Sequence, residues 1–329
     1  MKVAVIGDGG WGTALATVLD RNGHDTTVWG PFPEYIAEIE ANGENKTYLP
    51  GVKIPPSIKW TSDHETAVRD AGLVVLVVPS RFYKSTVAAF KPFMPSSALV
   101  VSATKGLDEQ THERMSAVAG KIIDHEVAVL SGPSHAEEVA RGVPCAVAIA
   151  ARDHDLAVQI QDLFTNDTFR VYTLDDVVGV ELGGALKNVI AVAAGISDGM
   201  GFGDNTKAAL MTRGIAEITR LGTALGAKPE TFMGLSGIGD LMVTCMSRHS
   251  RNRGVGERLG KGESLEEIMG SMKMVAEGVW NCQAAKELAD ELGIAVPITE
   301  QVNAVVHAGK DPRQAMIALM SRAPKPEQE

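Results

Sequence analysis

The first half of the chain alternates short, almost wholly apolar runs with longer stretches of helical period. Lys2–Ile6, Thr26–Trp29, Leu73–Val78, Ala98–Val101, Val127–Leu130, Cys145–Ala150 and the weaker Phe169–Tyr172 are the apolar runs. Stretches such as LVVLVVP do not alternate polar with apolar positions, the pattern of a parallel strand covered on both faces. With helical segments between most of them, residues 1–178 predict a doubly wound α/β domain with a mostly parallel sheet. Strand signals stop near residue 175. Amphipathic helical patterns joined by glycine-rich loops then run onward, so residues 179–329 predict an all-helical domain, with 323–329 as a frayed tail. No repeat of solenoid length and no low-complexity stretch interrupts this plan.

The most distinctive helical stretch is ELGGALKNVIAVAAGISDGMGFGDNTKAALMTR, Glu181 to Arg213, read as a helix. At helical spacing Gly183, Gly184, Lys187, Ala191, Ala194, Gly195 and Asp198 share one face, which is built of small residues around a single lysine. A glycine inside a helix costs about 1 kcal/mol relative to alanine. Two returns offset that cost: close packing of another helix, or close approach of a ligand to a reactive amine.

The opening run meets Gly7-x-Gly9-x-x-Gly12 and then a helical pattern that closes at Gly23. Strand, glycine turn and helix in this order form a dinucleotide site. The first glycine allows the tight turn, the second lets backbone approach a pyrophosphate, and the third lets helix pack on strand. The domain is therefore Rossmann-like. The next run ends at Trp29, where a NAD site usually places an acidic residue, yet Gly30-Pro31-Phe32-Pro33 follows. With neither carboxylate nor arginine at that tip, the choice between NAD and NADP stays open. Ligands of such sheets bind beyond the C-terminal ends of the strands. There the chain places Pro79-Ser80, Ser102 to Gly106 and Ser131 to His135, with Lys105 as the cation. In the helical half, Gly234 to Thr244 lacks the ending and the preceding strand of a P-loop. Arg248, His249, Arg251 and Arg253 fall in a stretch free of acidic residues, which reads either as a local cationic loop suited to a small phosphate or as a solvated charge run.

Composition narrows the classes. A chain of 329 residues, 45% hydrophobic and 22% charged, has room for one or two substantial cores. The net charge of -10 argues against nucleic acid or anionic membrane as a partner. Cys145, Cys245 and Cys282 are odd in number and far apart, so neither a disulfide framework nor a metal site is expected. With no leader-like apolar run and no segment of about 18 apolar residues, the reading is a cytoplasmic protein without a membrane span.

Gly7-x-Gly9-x-Trp11-Gly12-Thr-Ala-Leu-Ala, Thr104-Lys105-Gly106, Ser131-Gly-Pro-Ser134, Glu181-Leu-Gly-Gly-Ala-Leu-Lys187-Asn188, Gly203-Asp-Asn, Gly239-Asp240-Leu, Thr244-Cys245 and Ser250-Arg251-Asn252 occur in an order that resembles the bacterial NAD(P)-dependent glycerol-3-phosphate dehydrogenases. The resemblance runs from Val3 to about Arg322. It implies reversible hydride transfer between NAD or NADP and carbon 2 of dihydroxyacetone phosphate or sn-glycerol 3-phosphate, without a metal, supplying the glycerol backbone of phospholipids. By that resemblance Lys187 is the proton acceptor. Lys105, Gly132, Ser134, Lys187, Asp240, Ser250, Arg251 and Asn252 surround the substrate. Gly7, Gly9, Gly10, Trp11, Gly12, Tyr48, Lys105, Ala136, Arg251, Val275 and Glu277 fall on cofactor positions.

Three positions depart from the family pattern. Gly10 stands where many members have serine, Pro31 where many have a basic residue, and His135 where phenylalanine is usual. The first two bear on cofactor preference. A ketone reduction needs a group that neutralises charge growing on the carbonyl oxygen and exchanges a proton with it. Lysine can serve, and burial beside a second lysine would bring its pKa toward neutrality, while pairing with Asp240 would oppose that shift. A related lysine-dependent hydroxyacid dehydrogenase and a non-catalytic dinucleotide-binding sensor are the alternative readings. A homodimer is the default expectation for a soluble enzyme.

Overall fold

The computed structural model describes residues 1–272, 275–324 and 326–327. Eight strands form one sheet: β1 (Lys2–Ile6), β2 (Asp25–Trp29), β3 (Lys59–Thr61), β4 (Leu73–Leu76), β5 (Leu99–Ser102), β6 (Val127–Ser131), β7 (Cys145–Ala150) and β8 (Phe169–Leu174), in the order β3-β2-β1-β4-β5-β6-β7-β8. Both faces are covered, as the continuous apolar runs require. Val3, Val5, Leu73, Val75 and Val101 enter one core, while Ala4, Ile6, Val74, Leu76 and Val100 enter the other. Parallel register aligns Ile6 with Trp29 and Leu76, and Leu76 with Ser102, so the loops after β1, β2, β4 and β5 emerge side by side.

Two features of the sheet were not expected. The edge strand β3 is only three residues long and follows Pro55-Pro56, too short for any period to register. The pairing of β6 with β7 is antiparallel. Only the five-residue helix Ala136–Ala140 lies between them, about 7 Å of rise at helical geometry. That cannot carry the chain back along a strand of about 17 Å, so it re-enters the sheet at the end it left. The helix His154–Phe164, with 11 residues, is long enough, and β7 and β8 are parallel.

The helical half is built around Val177–Gly199, in which every residue from Gly179 to Ser197 is buried. This helix reaches a mean hydropathy of 1.6, enough by length and composition for a membrane span, contrary to the reading that no segment did. Its window is 89% buried inside the protein, so it is a core helix. Asp176 caps it, accepting from Gly179 N at 2.9 Å and Thr231 Oγ1 at 2.6 Å. Glu181 ties it to the sheet half by accepting from Ser116 N (2.8 Å) and Arg114 Nη1 (2.6 Å). The stretch read as one helix is two, because Gly201 takes φ 79° and a second helix begins at Asp204 and runs to Ala224.

Most of the glycines on the lysine face serve packing. A Cβ on Gly195 would overlap the Arg253 carbonyl oxygen of the helix Arg251–Gly260, and one on Gly256 would overlap the Val192 carbonyl oxygen in return. Gly195→Ala forces two backbones apart, and overpacking of this kind costs about 3 kcal/mol. A urea midpoint no lower than that of a surface alanine variant would refute this account. Arg213 Nη1 holds the tail by donating to the Glu327 carbonyl oxygen at 2.7 Å; Lys325, Gln328 and Glu329 lie outside the described residues.

Candidate active site

The glycine turn suits a dinucleotide. Gly7 has φ 133°, a conformation side chains rarely adopt, and a Cβ on Gly9 would meet nothing within 4 Å, leaving backbone open to a phosphate. A side chain at Gly12 would run into the Gly7 carbonyl oxygen. The helix Gly10–Arg21 has no acidic residue in its first turn to compete for its N-terminus. Tyr48 closes over the turn: its carbonyl oxygen lies 2.5 Å from where a Gly10 Cβ would be. The departure from serine at residue 10 therefore has a local cause, since a side chain there would displace the Tyr48 loop.

Lys187 is 5% exposed, and its ammonium donates to Asp240 Oδ1 and to Thr244 Oγ1 at 2.7 Å. Lys105, at the end of β5, donates to the other oxygen of Asp240 at 2.8 Å, to the Gly132 carbonyl oxygen at 3.0 Å and to Ser134 Oγ at 3.3 Å. One carboxylate thus joins an amine from the sheet half to an amine from the helical half. Asp240 can do this because a tight turn, Leu235–Gly239, delivers it to the first position of the helix Asp240–Met246. The helix Pro229–Phe232 precedes that turn, where a P-loop would have a strand.

Burial pushes Lys187 down to about 7, Asp240 opposes the shift, and the Lys105 charge reinforces it. Burial also pushes the Asp240 carboxyl upward, but the two lysines outweigh it and hold it below the usual range. His135 is drawn below its ordinary pKa by burial and then by the Lys187 charge, so the imidazole next to the site is neutral at pH 7. The adjacent Ala136 has its Cβ 3.7 Å from where a Gly10 Cβ would be. His135, which feels the Lys187 charge, and Ala136, which approaches the glycine turn, are thus consecutive residues.

The remaining expected residues divide. Ser250 caps the helix Arg251–Gly260 by accepting from Arg253 N at 3.2 Å. Asn252 is spent on protein partners, donating to Asn188 Oδ1 at 2.9 Å and accepting from Gly278 N at 2.8 Å. The cationic loop is not uniform: Arg253 Nε donates to Asp198 Oδ2 at 2.7 Å, so it fastens two helices and is not a free phosphate ligand. Arg248 is solvent-exposed, and His249 Nδ1 lies 3.9 Å from Glu137 Oε1. Arg251 is exposed and unpaired among the described residues, while the surrounding protein lowers its pKa and Glu277 and Glu137 act the other way. That combination leaves the guanidinium open to solvent with Glu277 and Glu137 as its nearest charges. Glu277 crosses between the halves, accepting from Ser80 N at 3.1 Å and Ser80 Oγ at 2.6 Å at the end of β4. Trp11 packs toward Phe169, with ring centroids 6.5 Å apart, and Val275 is half-buried on the segment leading to Glu277.

Thr244 and Ser80 are polar partners that motif reading did not single out as site residues. Thr244 had a signal in its spacing, four residues after Asp240 on one helix face. Ser80 had only its place at a strand end. An apolar cavity of about 490 Å³ in the helical half, lined by Ile196, Met200, Leu210, Val302 and Met316 among others, contains none of these residues and is not the site.

Comparison with known proteins fits this arrangement. The profile of the NAD-dependent glycerol-3-phosphate dehydrogenase N-terminus matches residues 2–157, and that of the C-terminus matches residues 176–317. Glycerol-3-phosphate dehydrogenase [NAD(P)+] of Moorella thermoacetica is 54% identical over 321 residues, covering 98% of this chain and 96% of that one. The protein of that name from Citrifermentans bemidjiense is 49% identical, covering 99% and 98%. The crystal structure of glycerol-3-phosphate dehydrogenase from Coxiella burnetii superposes with a TM-score of 0.94 at 37% identity, covering 98% of this chain and 99% of that one. Profiles that match both halves, together with relatives about half identical over nearly the whole length, show that the chain belongs to the NAD-dependent glycerol-3-phosphate dehydrogenase family.

Proposed function

We propose that the chain interconverts dihydroxyacetone phosphate and sn-glycerol 3-phosphate, with Lys187 exchanging the proton at the C2 oxygen. The observation that carries this is an amine brought to about 7 by burial and held by Asp240 and Thr244 beside a second lysine. Hydride is supplied or taken up by a nicotinamide dinucleotide bound at the glycine turn. The chain's own residues manage charge and protons. In reduction, the Lys187 ammonium gives a proton to the carbonyl oxygen as C2 gains hydride, and in oxidation the neutral amine takes the hydroxyl proton. Lys105 adds positive charge toward the oxygen on which negative charge develops. Asp240 is the positioning residue for both amines.

Gly132 and Ser134 support Lys105 through its hydrogen bonds, and Asn252 and Ser250 set the helix that presents Arg251. Arg251, exposed and unpaired among the described residues, is the phosphate anchor of this reading, since a guanidinium fork matches phosphate oxygens. Gly10, Trp11, Tyr48, Ala136, Val275 and Glu277 line the dinucleotide side. The product suits supply of a phospholipid backbone, in a cytoplasmic enzyme.

Initial rates with dihydroxyacetone phosphate, dihydroxyacetone and β-hydroxyacids test the proposal. Turnover confined to the phosphate ester supports it, whereas preference for a β-hydroxyacid favours the related dehydrogenase and binding without turnover favours a sensor. Arg251→Ala raises KM for the phosphate ester by about 30-fold with kcat within about threefold, the pattern for loss of uniform binding. An unchanged KM removes Arg251 from the phosphate site.

A further inference from the structure

The tip of β2 carries no carboxylate of its own, since Trp29 is followed by Gly30-Pro31-Phe32-Pro33. The fold brings one there from another strand. Gly7 N donates to the Trp29 carbonyl oxygen at 3.0 Å, which sets the turn after β1 against the end of β2. Asp8, inside that turn, is 8% exposed. A Cβ built on Gly30 would lie 2.5 Å from Asp8 Oδ2, 2.6 Å from its Cγ and 2.8 Å from its Cβ. The volume in which a side chain of residue 30 would begin is therefore filled by the carboxyl of residue 8.

That carboxyl lacks company. Oδ2 has no hydrogen-bond partner among the described residues. Burial raises the Asp8 pKa to about 6, opposed only by its own backbone N–H, with no cation contributing. Buried polar oxygens are nearly always partnered, and an orphan at a ligand site points to donors that arrive with the ligand. At a dinucleotide turn those donors are the hydroxyls of the adenosine ribose. Gly9, the next residue, borders the open space left for a phosphate, so the carboxyl lies one residue from the path a bound dinucleotide would take.

We propose that Asp8 accepts the adenosine ribose hydroxyls in place of a carboxylate at the end of β2, and thereby selects a dinucleotide with a free 2′-hydroxyl over one with a 2′-phosphate. A 2′-phosphate would set like charge beside Asp8, and residues 30–33 offer no basic side chain to compensate. The inference rests on the glycine turn being the dinucleotide site.

Dissociation constants of NADH and NADPH, read from nicotinamide fluorescence on the full chain, test it without recourse to turnover. The parent protein binds NADH at least about tenfold tighter than NADPH, and in Asp8→Asn and Asp8→Ala the two constants come within about threefold of each other. Asp8→Asn keeps the shape and removes the charge, so a collapse of selectivity there is not a folding defect. Equal constants in the parent, or a ratio unchanged in Asp8→Asn, overturn the inference while leaving the dinucleotide site intact. A parent protein that binds neither nucleotide overturns both.

Discussion

In Lys187→Ala, kcat for dihydroxyacetone phosphate reduction falls by about 1000-fold, within the range a positioned general acid contributes, while the NADH dissociation constant stays within about threefold. The amine is 5% exposed and its hydrogen bonds run to Asp240 and Thr244, with none to the glycine turn, so its removal does not disturb the cofactor side. The pH profile supplies a second signature. Because the parent amine titrates near 7, reduction, which needs the ammonium, slows as pH rises through that value; oxidation, which needs the free amine, accelerates. Both inflections vanish in the variant. A kcat within tenfold of the parent, or an inflection near pH 7 that survives the substitution, removes Lys187 from the proton transfer.

Asp240→Asn strikes stability as well as chemistry. The carboxylate is 1% exposed and carries two ammonium partners. Breaking a buried charge cluster by removing one member costs about 3–5 kcal/mol, because the remaining charges are left without compensation. The deficit depends on pH with a definite sign. Without Asp240 the folded-state pKa of Lys187 drops below its present value of about 7, further from the 10.5 of the unfolded chain. Between folded and unfolded values the unfolded chain binds more protons, so stability rises with pH. The variant's deficit therefore grows as pH falls below about 7, is complete only below the variant's own lowered Lys187 pKa, and shrinks as pH climbs through about 7, where the parent's amine also becomes neutral. Urea unfolding of both proteins at pH 6 and pH 9 reads this directly. A deficit equal at the two pH values would mean that Asp240 acts by shape and not as counterion.

The strands that periodicity reveals are the buried ones. Lys2–Ile6 and Cys145–Ala150 were legible to the residue because a strand covered on both faces must be apolar throughout. The edge strand Lys59–Thr61 escapes because one covered face over three residues leaves no pattern. The glycine turn was legible because its chemistry is local: Gly7, Gly9 and Gly12 act on backbone within the same six residues. Arg253 was misjudged for the opposite reason. Its partner Asp198 lies 55 positions away, and a run of cations does not say which of them is already paired.

By itself the sequence determined the layered sheet, the helical second half, the glycine turn between strand and helix and the small-residue face around Lys187, since each follows from residue type at short spacing. The tertiary structure alone decided what depends on distant segments meeting. It gave Lys187 and Lys105 a shared Asp240, made Glu277 a clasp on Ser80, committed Gly195 to helix packing and set the Asp8 carboxyl at the empty tip of β2. The physical reason is that a charge, a close contact or an orphaned oxygen is a property of a neighbourhood, and neighbours drawn from different strands and helices leave no period in the chain that encodes them.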